Sequence, residues 1–498
     1  MSLALIPWPR RGRAATVSLL AFGTAGVSAC ATTPPRRVDH VAATPAAPGA
    51  VWTPSAPAQA PLAAARSAPP LDVPTAGMTL ADVLALALQN SPQTRASWAE
   101  ARSAAATLGA ARGRWLPTLS ADVVGGPARA ISANPARLPA QRTTVTPSLS
   151  LQYLLFDFGG RAGATSAARE ALYAADFTHN ATLQGVVLQA EQAYFQFQAG
   201  TGLVAAARAT VETARANLAA AARRHEVGVA TIADVLQART ALAQAQLAYQ
   251  DADADAQAAR ASVAVAMGLP ANAPFAIAPD SGATPVQAIA ADVDALIAQA
   301  VRGRPDLAAA EALARQREAQ VRVARAAQWP GVTVGGAAGR SFSNAEALSG
   351  RTYGLTVGLS VPLFNGQQRQ YDVVAASEDA VAAGARAERL RLETIAQVFT
   401  SYHALRTATQ RVGTSAELLA SATQSEQVAR GRYAEGVGSI LDLLTAQTAL
   451  ADARAQAVLA RWQWYASLAQ LSRDTGVLGP TGETRLPLTS VPSRDSDR

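Results

Sequence analysis

The chain repeats itself at a fixed spacing of 208 residues, and no other feature restricts its fold so severely. Phe156 of LLFDFGGR pairs with Phe364 of PLFNGQQR, and Arg161 with Arg369. Tyr194 pairs with Tyr402, Gly228 with Gly436, Asp234 with Asp442, Leu242 with Leu450 and Gly268 with Gly476, with no gap in between. Upstream the register shifts slightly, yet Pro92 to Pro117 and Pro305 to Pro330 are both 25 residues apart. Self-similarity of this kind says that one supersecondary unit has been used twice. Function must therefore be argued from the unit and not from a lone active-site motif.

Length alone would allow two or three ordinary domains in 498 residues. The chain is rich in Ala, Gln and Arg and poor in aromatics, which favours extended helices over a compact α/β core. All 43 basic residues are Arg. The net charge of +7 includes Arg10, Arg11 and Arg13 and falls to +4 if they are removed with a leader. That is too small and too dispersed to argue for nucleic acid. The four histidines, His40, His179, His225 and His403, are scattered without metal-ligand spacing. Neither a phosphate loop nor a G-x-S-x-G elbow is present. The residues thus predict no enzyme, cofactor or metal site. Tyr194, Phe195 and Phe197 read as packing residues.

The start of the chain is legible as an export leader. Arg10, Arg11 and Arg13 precede an apolar run from Ala14 to Val27, followed by Val27-Ser28-Ala29-Cys30. A basic region, a short apolar region and small residues at a cut site make a secretory signal, not a membrane span. The single cysteine stands where a bacterial lipobox puts it, so residues 1–29 read as a lipoprotein signal and Cys30 as the lipidated first residue. An ordinary signal with a chance cysteine is the plainer alternative. Ala31, not Asp, follows, which fits export to an outer membrane. Residues 30–76 are dense in Pro and Ala and read as a tether. Repeat 1 is assigned to 77–285, repeat 2 to 286–478, and 479–498 to a disordered tail.

Within each repeat the same order of elements is expected. Ser91 caps a helix that starts at Pro92 and stops near Trp115 and Pro117; the second copy runs from Pro305 to Trp329 and Pro330. Two strand-like stretches follow. Val145, Leu149, Leu151 and Tyr153 alternate with small polar residues, as do Tyr353, Leu355, Val357, Leu359 and Val361. Period-2 alternation over about ten residues suits a membrane-barrel strand with lipid outside and water inside. A half-buried strand of a soluble sheet would read the same way. The partner strands are less clear, around Leu119–Val124 and Val332–Gly339. Proline-free helical stretches then run from Gly163 to about His225 and from Gln370 to about Ala434, each roughly 95 Å long. Gly-bearing turns follow, and shorter helices return from Ile232 to Met267 and from Ile440 to Thr475. The Pro92 and Ile232 helices end to end span about 90 Å, nearly matching the long helix between them.

Two copies supply four strands, and four strands cannot close. An open edge in hydrocarbon leaves N–H and C=O groups unpaired at several kcal/mol each. The unit must therefore oligomerise, and a cyclic assembly also gathers the long helices into a tube.

Here the chain resembles the TolC-like outer membrane efflux family. The resemblance rests on the turns Leu155–Arg161 and Leu363–Arg369 and on two hairpin motifs. These are GVATIADVLQARTAL at Gly228–Leu242 and GVGSILDLLTAQTAL at Gly436–Leu450. It covers residues 79 to 478, and it implies a mainly α fold with membrane β. In that fold a duplicated helix–β-hairpin–long helix–helix unit forms a homotrimer, with a 12-stranded outer-membrane β-barrel continued by a periplasmic α-helical barrel. The implied partners are outer membrane lipid, a periplasmic adaptor (membrane fusion protein) and an inner-membrane pump or secretion ATPase.

The resemblance also implies an acidic ring at the periplasmic entrance, matched by Asp442. Thr445 stands at the second ring position, so a second acidic ring is missing. Gly438 stands where some members carry an Arg latch. Three carboxylates drawn together by symmetry raise one another's pKa and favour cations. Asp442 also suits a plain helix N-terminal acid, and Asp234 reads as structural. Gly228 and Gly436 serve a turn that needs φ > 0. With Val227, Val229, Val437, Gly438 and Ile440 they form either exposed tips for an adaptor or simple hairpin closures. Phe156, Gly159, Gly160, Arg161, Phe364, Gly366 and Arg369 mark the strand-to-helix turns. The leading reading is an exit duct of a tripartite efflux system for small toxic compounds or metal ions. The exit duct of a type I protein secretion system comes second, and a coiled-coil stalk or an autonomous porin is less well supported.

Overall fold

Each repeat opens with a short helix capped by its own sequence. Thr79 accepts from the backbone of Asp82 while the Asp82 carboxylate accepts from the Thr79 N–H, closing a capping box at the start of α1 (Leu80–Asn90). Ser91 then caps α2 (Pro92–Gly113), with proline at its first position. These features are seen in a computed structural model that describes residues 77–129, 141–278, 287–344, 349–479 and 488–490. All of them belong to the unit Val73–Arg498. The proposed signal, Cys30 and the tether lie outside the described residues.

The chain continues through strands β1 (Thr118–Arg129) and β2 (Gln141–Phe156) into α3 (Gly160–Glu226) and back along α4 (Ile232–Ala266). A three-residue strand, β3 (Gln287–Ile289), leads to the second copy. That copy holds α5 (Val293–Gly303), α6 (Pro305–Ala326), β4 (Gly331–Ser343), β5 (Gly350–Ser360), α7 (Gln368–Ala434) and α8 (Ile440–Asp474). The two copies match element by element: 11, 22, 67 and 35 residues for the four helices in each. At 1.5 Å per residue each 67-residue helix is about 100 Å long, and the 22- and 35-residue helices together nearly match it.

Four points depart from the sequence reading. The short helices α1 and α5 are separate elements. Each plugs an apolar core at the middle of its long helix: Val83, Leu84 and Ala87 against Val187, Ala190 and Val263, and Leu296 and Ala300 against Val398, Leu405 and Trp464. The first strand of each hairpin is longer than expected, Thr118–Arg129 and Gly331–Ser343. The long helices begin at Gly160 and Gln368, directly after left-handed residues. The C-terminal tail is not wholly unstructured: Leu488–Ser490 forms β6, whose backbone pairs antiparallel with β3.

The four longer strands form one antiparallel sheet in the order β1-β2-β4-β5. Its register separates two faces. Leu119, Leu151, Gly336 and Leu355 form one cross-strand row, and Ala121, Leu149, Ala338 and Tyr353 the next on the same face. The opposite face carries Thr118, Gln152, Gly335 and Thr356, then Ser120, Ser150, Ala337 and Gly354. The apolar face is open to the surroundings, with Tyr353 90% exposed. Among the described residues no helix is long and apolar enough to cross a membrane.

The helices form a wall with two free flanks. α3 packs against α1, α2, α4, α6 and α8; α7 packs against α5, α6 and α8. Along α7 an exposed stripe runs through Val374, Val381, Leu392 and Phe399, at separations of 7, 11 and 7 residues. Those separations keep the stripe on one side of a helix. Trp98 on α2 and Leu236 and Leu247 on α4 are similarly exposed.

Candidate functional site

The residues singled out from sequence fall in two regions of the unit, the turn joining sheet to helix and the hairpin tip at the far end. At the first, each copy places two successive residues in left-handed backbone. They are Phe158 (φ 49°) and Gly159 (φ 90°) in copy one, and Gly366 (φ 65°) and Gln367 (φ 65°) in copy two. The glycine comes second in one copy and first in the other, so each turn carries one non-glycine residue in a conformation that strains it. Arg161 is buried in the first turn. Its backbone N–H donates to the Asp157 carboxylate at 2.6 Å and its Nη2 to the Leu155 carbonyl at 3.2 Å. Its guanidinium lies 4.6 Å from the Trp115 ring centre. Phe158 stacks on Trp329 at 5.4 Å and meets Phe156 edge-on at 4.8 Å. Trp115, Trp329, Phe156 and Phe158 thus gather at the helix end of the sheet, the position of an interfacial aromatic girdle.

At the tips the chain reverses within a few residues. The Gly228 N–H donates to the His225 carbonyl at 2.9 Å and that of Val229 to Arg224 at 2.9 Å; Gly436 and Val437 repeat the pattern on Tyr433 and Arg432. Gly228 and Gly436 both have φ 77°, as the turn demands. The returning helices open with matching capping boxes, Thr231 with Asp234 and Ser439 with Asp442. The Asp442 N–H donates to Ser439 Oγ at 3.1 Å, and Asp442 Oδ2 accepts from the Ser439 N–H at 3.3 Å. Ser439's side chain and then its backbone N–H hold the Asp442 carboxyl below the usual range, with Arg432 adding to the effect. The carboxylate therefore stays ionised at neutral pH while exposed to solvent.

The two hairpins are tied together inside one protomer. Arg224 Nη1 donates to the Tyr433 carbonyl at 2.9 Å. Higher up, Asn217 Nδ2 donates to Gln447 Oε1, Gln447 Nε2 to Glu426 Oε1 at 3.2 Å, and Arg430 Nε to the same oxygen at 3.0 Å. Glu426 is buried in this chain of bonds, beside a cleft of about 200 Å³ lined by Thr210, Gln244, Arg430 and Gln447. Among the described residues no three His, Cys, Asp or Glu side chains group to hold a metal.

The sequence pattern of the outer membrane efflux protein family matches residues 83–269 and 296–477, one segment in each copy. The chain belongs to this family. It is 29% identical over 405 residues to Protein CyaE of Bordetella pertussis, covering 81% of this chain and 85% of that one. The fold matches that of a membrane protein from Pseudomonas aeruginosa with a TM-score of 0.74 at 23% identity, covering 82% of this chain and all of that one. It also matches the Campylobacter jejuni CmeC outer membrane channel at 0.72 and 18% identity, covering 82% and 86%. Membership makes the chain an outer-membrane efflux channel, a passive conduit and not an enzyme.

In this efflux protein the residues singled out from sequence fall in two groups. Phe156, Gly159, Gly160, Arg161, Phe364, Gly366 and Arg369 sit at the strand-to-helix turns; Val227, Gly228, Val229, Gly436, Val437, Gly438 and Asp442 sit at the tips. Ile440 does not belong with the exposed tip residues: it is 4% exposed, whereas its counterpart Ile232 is 57% exposed. The two hairpins thus differ at this position, an asymmetry the near-identical motifs conceal, although both pack internally next to it through Val235 and Leu443. Sequence reasoning also missed Phe158, Arg224, Asn217, Glu426, Gln447 and Tyr433. Only the i,i+4 pair Glu426–Arg430 left a local signal; Arg224 meets Tyr433 and Asn217 meets Gln447 across more than 200 residues, and Phe158 meets Trp329 across 171.

Proposed function

We propose that three copies close this unit into a twelve-stranded barrel continued by a helical tunnel. It serves as the exit duct of a tripartite efflux system for small toxic compounds or metal ions. The observation that carries the reading is that both layers end in unsatisfied edges. β1 and β5 each present an unpaired side, and α7 presents an apolar stripe opposite exposed Trp98, Leu236 and Leu247 on the other flank. A cyclic assembly answers both at once. The polar face of the sheet would line the lumen and the apolar face would meet lipid. The exposed turns at Val227–Val229 and Gly436–Gly438 would receive a periplasmic adaptor, which couples the duct to an inner-membrane pump. Asp442 would contribute one carboxylate per copy to a ring at the entrance, and Cys30 would be acylated to anchor the chain.

Growth of a strain lacking the gene on dyes, antibiotics, detergents and metal salts tests this. Hypersensitivity reversed by the intact gene, and not by one with altered tips, supports efflux. Unchanged sensitivity together with a protein missing from the culture supernatant would replace this reading with a secretion duct.

A further inference from the structure

The apolar face of the sheet ends in arginines. Arg340 on β4 and Arg351 on β5 are directly opposite one another in the ladder, and both are exposed. They share the face that carries Val334, Gly336 and Ala338 on β4 and Tyr353, Leu355 and Val357 on β5. Like charges facing across two strands destabilise the pair unless an anion lies between them. No carboxylate occurs in β2, β4 or β5, and the sole acid of β1, Asp122, belongs to the polar face. Among the described residues neither arginine has an ion-pair partner; Glu346, in the connection between the two strands, lies outside those residues. Arg340 rests 5.1 Å from the ring centre of Phe342, the next residue outward on the same face. Arg129 and Arg142 stand at the same distal end of β1 and β2.

Height decides what these arginines meet. Arg340 is nine residues from the helix end of β4, about 30 Å along the strand and roughly 23 Å along a barrel axis at ordinary tilt. The apolar band of an outer-membrane barrel is about 25 Å tall, so Arg340 and Arg351 emerge at its far edge, where lipid headgroups begin. Closure would bring β1 of the next copy beside β5, and with it a third arginine, Arg129, to the same rim.

We propose that Arg340 and Arg351 form a binding site for the phosphate groups of phosphorylated lipid in the outer leaflet, with Phe342 packing on its acyl or sugar portion. Two guanidinium groups converging on one phosphate supply paired, charge-assisted hydrogen bonds and remove the repulsion between them. The site rests on the membrane-barrel reading given above.

The test uses the full-length protein in phosphatidylcholine vesicles. The vesicles are doped with a bis-phosphorylated glycolipid or with the same glycolipid stripped of its phosphates. Lipid retained after re-extraction is measured by mass spectrometry. The intact protein is expected to retain the phosphorylated form about tenfold better. Arg340→Gln with Arg351→Gln should abolish that preference, and Arg340→Lys with Arg351→Lys should keep most of it. Equal retention by the intact and double-Gln proteins overturns the site. So does a Glu346→Gln variant that loses as much thermal stability as the double-Gln protein while lipid has no effect, because Glu346 is then the counter-ion. Failure to insert into any vesicle overturns the barrel reading and this site with it.

Discussion

Arg224, near the end of the first long helix, donates to the backbone carbonyl of Tyr433 near the end of the second, and its guanidinium lies 4.8 Å from the Tyr433 ring centre. One side chain therefore fastens the two hairpins together within four residues of both turns. A partly exposed charged hydrogen bond of this kind contributes about 1 kcal/mol, enough to shift an open–closed balance by several-fold. Arg224→Ala is expected to raise the conductance of the channel in planar bilayers by that order. Tyr433→Phe should leave it unchanged, because the acceptor is the carbonyl and the hydroxyl has no partner among the described residues. Wild-type conductance in Arg224→Ala would show that the tie does not restrain the tip.

Glu191 lies 3% exposed in the core of the first repeat, with Oε2 unpartnered among the described residues. Burial alone pushes its carboxyl up to about 7. Between the ordinary carboxylate range and pH 7 the folded chain holds a proton that the unfolded chain has lost. Stability from this group is thus fully present in acid, declines as pH rises from about 4.5 to about 7, and levels off above. The total is about 3 kcal/mol. Glu191→Gln should flatten that decline and raise the thermal midpoint at pH 8, measured by circular dichroism. A mutant melting curve with the wild-type pH dependence would mean that another group titrates.

Val227 and Val437 stand out from the tips, 74% and 69% exposed, without a packing role inside the protomer. Surface substitutions of this kind change stability by at most about 0.5 kcal/mol. Val227→Glu and Val437→Glu are therefore expected to keep the melting temperature while failing to restore resistance to the deletion strain. Gly436→Ala is the contrasting case. At φ 77° it should cost about 1 kcal/mol and lower the melting temperature. Full complementation by both Val variants would remove the tips from any docking role.

What the sequence disclosed and what it concealed divide along physical lines. The long helices, their turns at Gly228 and Gly436 and the alternation in β2 and β5 are local: capping residues, missing prolines and periods of 3.6 and 2 record them directly. The 208-residue spacing then supplied the architecture, because a unit with unpaired edges leaves few ways to finish. The contacts that distinguish the copies are not local. Ile232 and Ile440 share a motif yet differ in burial, 57% against 4% exposed. The Asn217–Gln447–Glu426 chain needs helices folded side by side before it exists. Strand β6 was hidden for the same reason, since three residues carry no period of their own.

Arg161 and Arg369 hold equivalent places in the repeat, and their surroundings make opposite predictions. Arg161 is buried against Asp157, whose carboxylate is 3.5 Å from its Nε, with Trp115 covering the guanidinium. Removing the buried cation takes away the charge partner of a carboxylate that keeps only its backbone N–H donor, a loss of about 2 kcal/mol. In the second turn Asn365 replaces the aspartate and Arg369 is only half buried. Deleting it strands no charge, so about 1 kcal/mol or less is at stake. Arg161→Met should accordingly lower the thermal midpoint of the purified protein several degrees further than Arg369→Met. Adding Asp157→Asn should recover part of the loss in Arg161→Met, because the charge left behind is then gone. Equal losses at both positions would mean that the arginines act through their stems against the aromatic girdle, with the Asp157 pair contributing nothing.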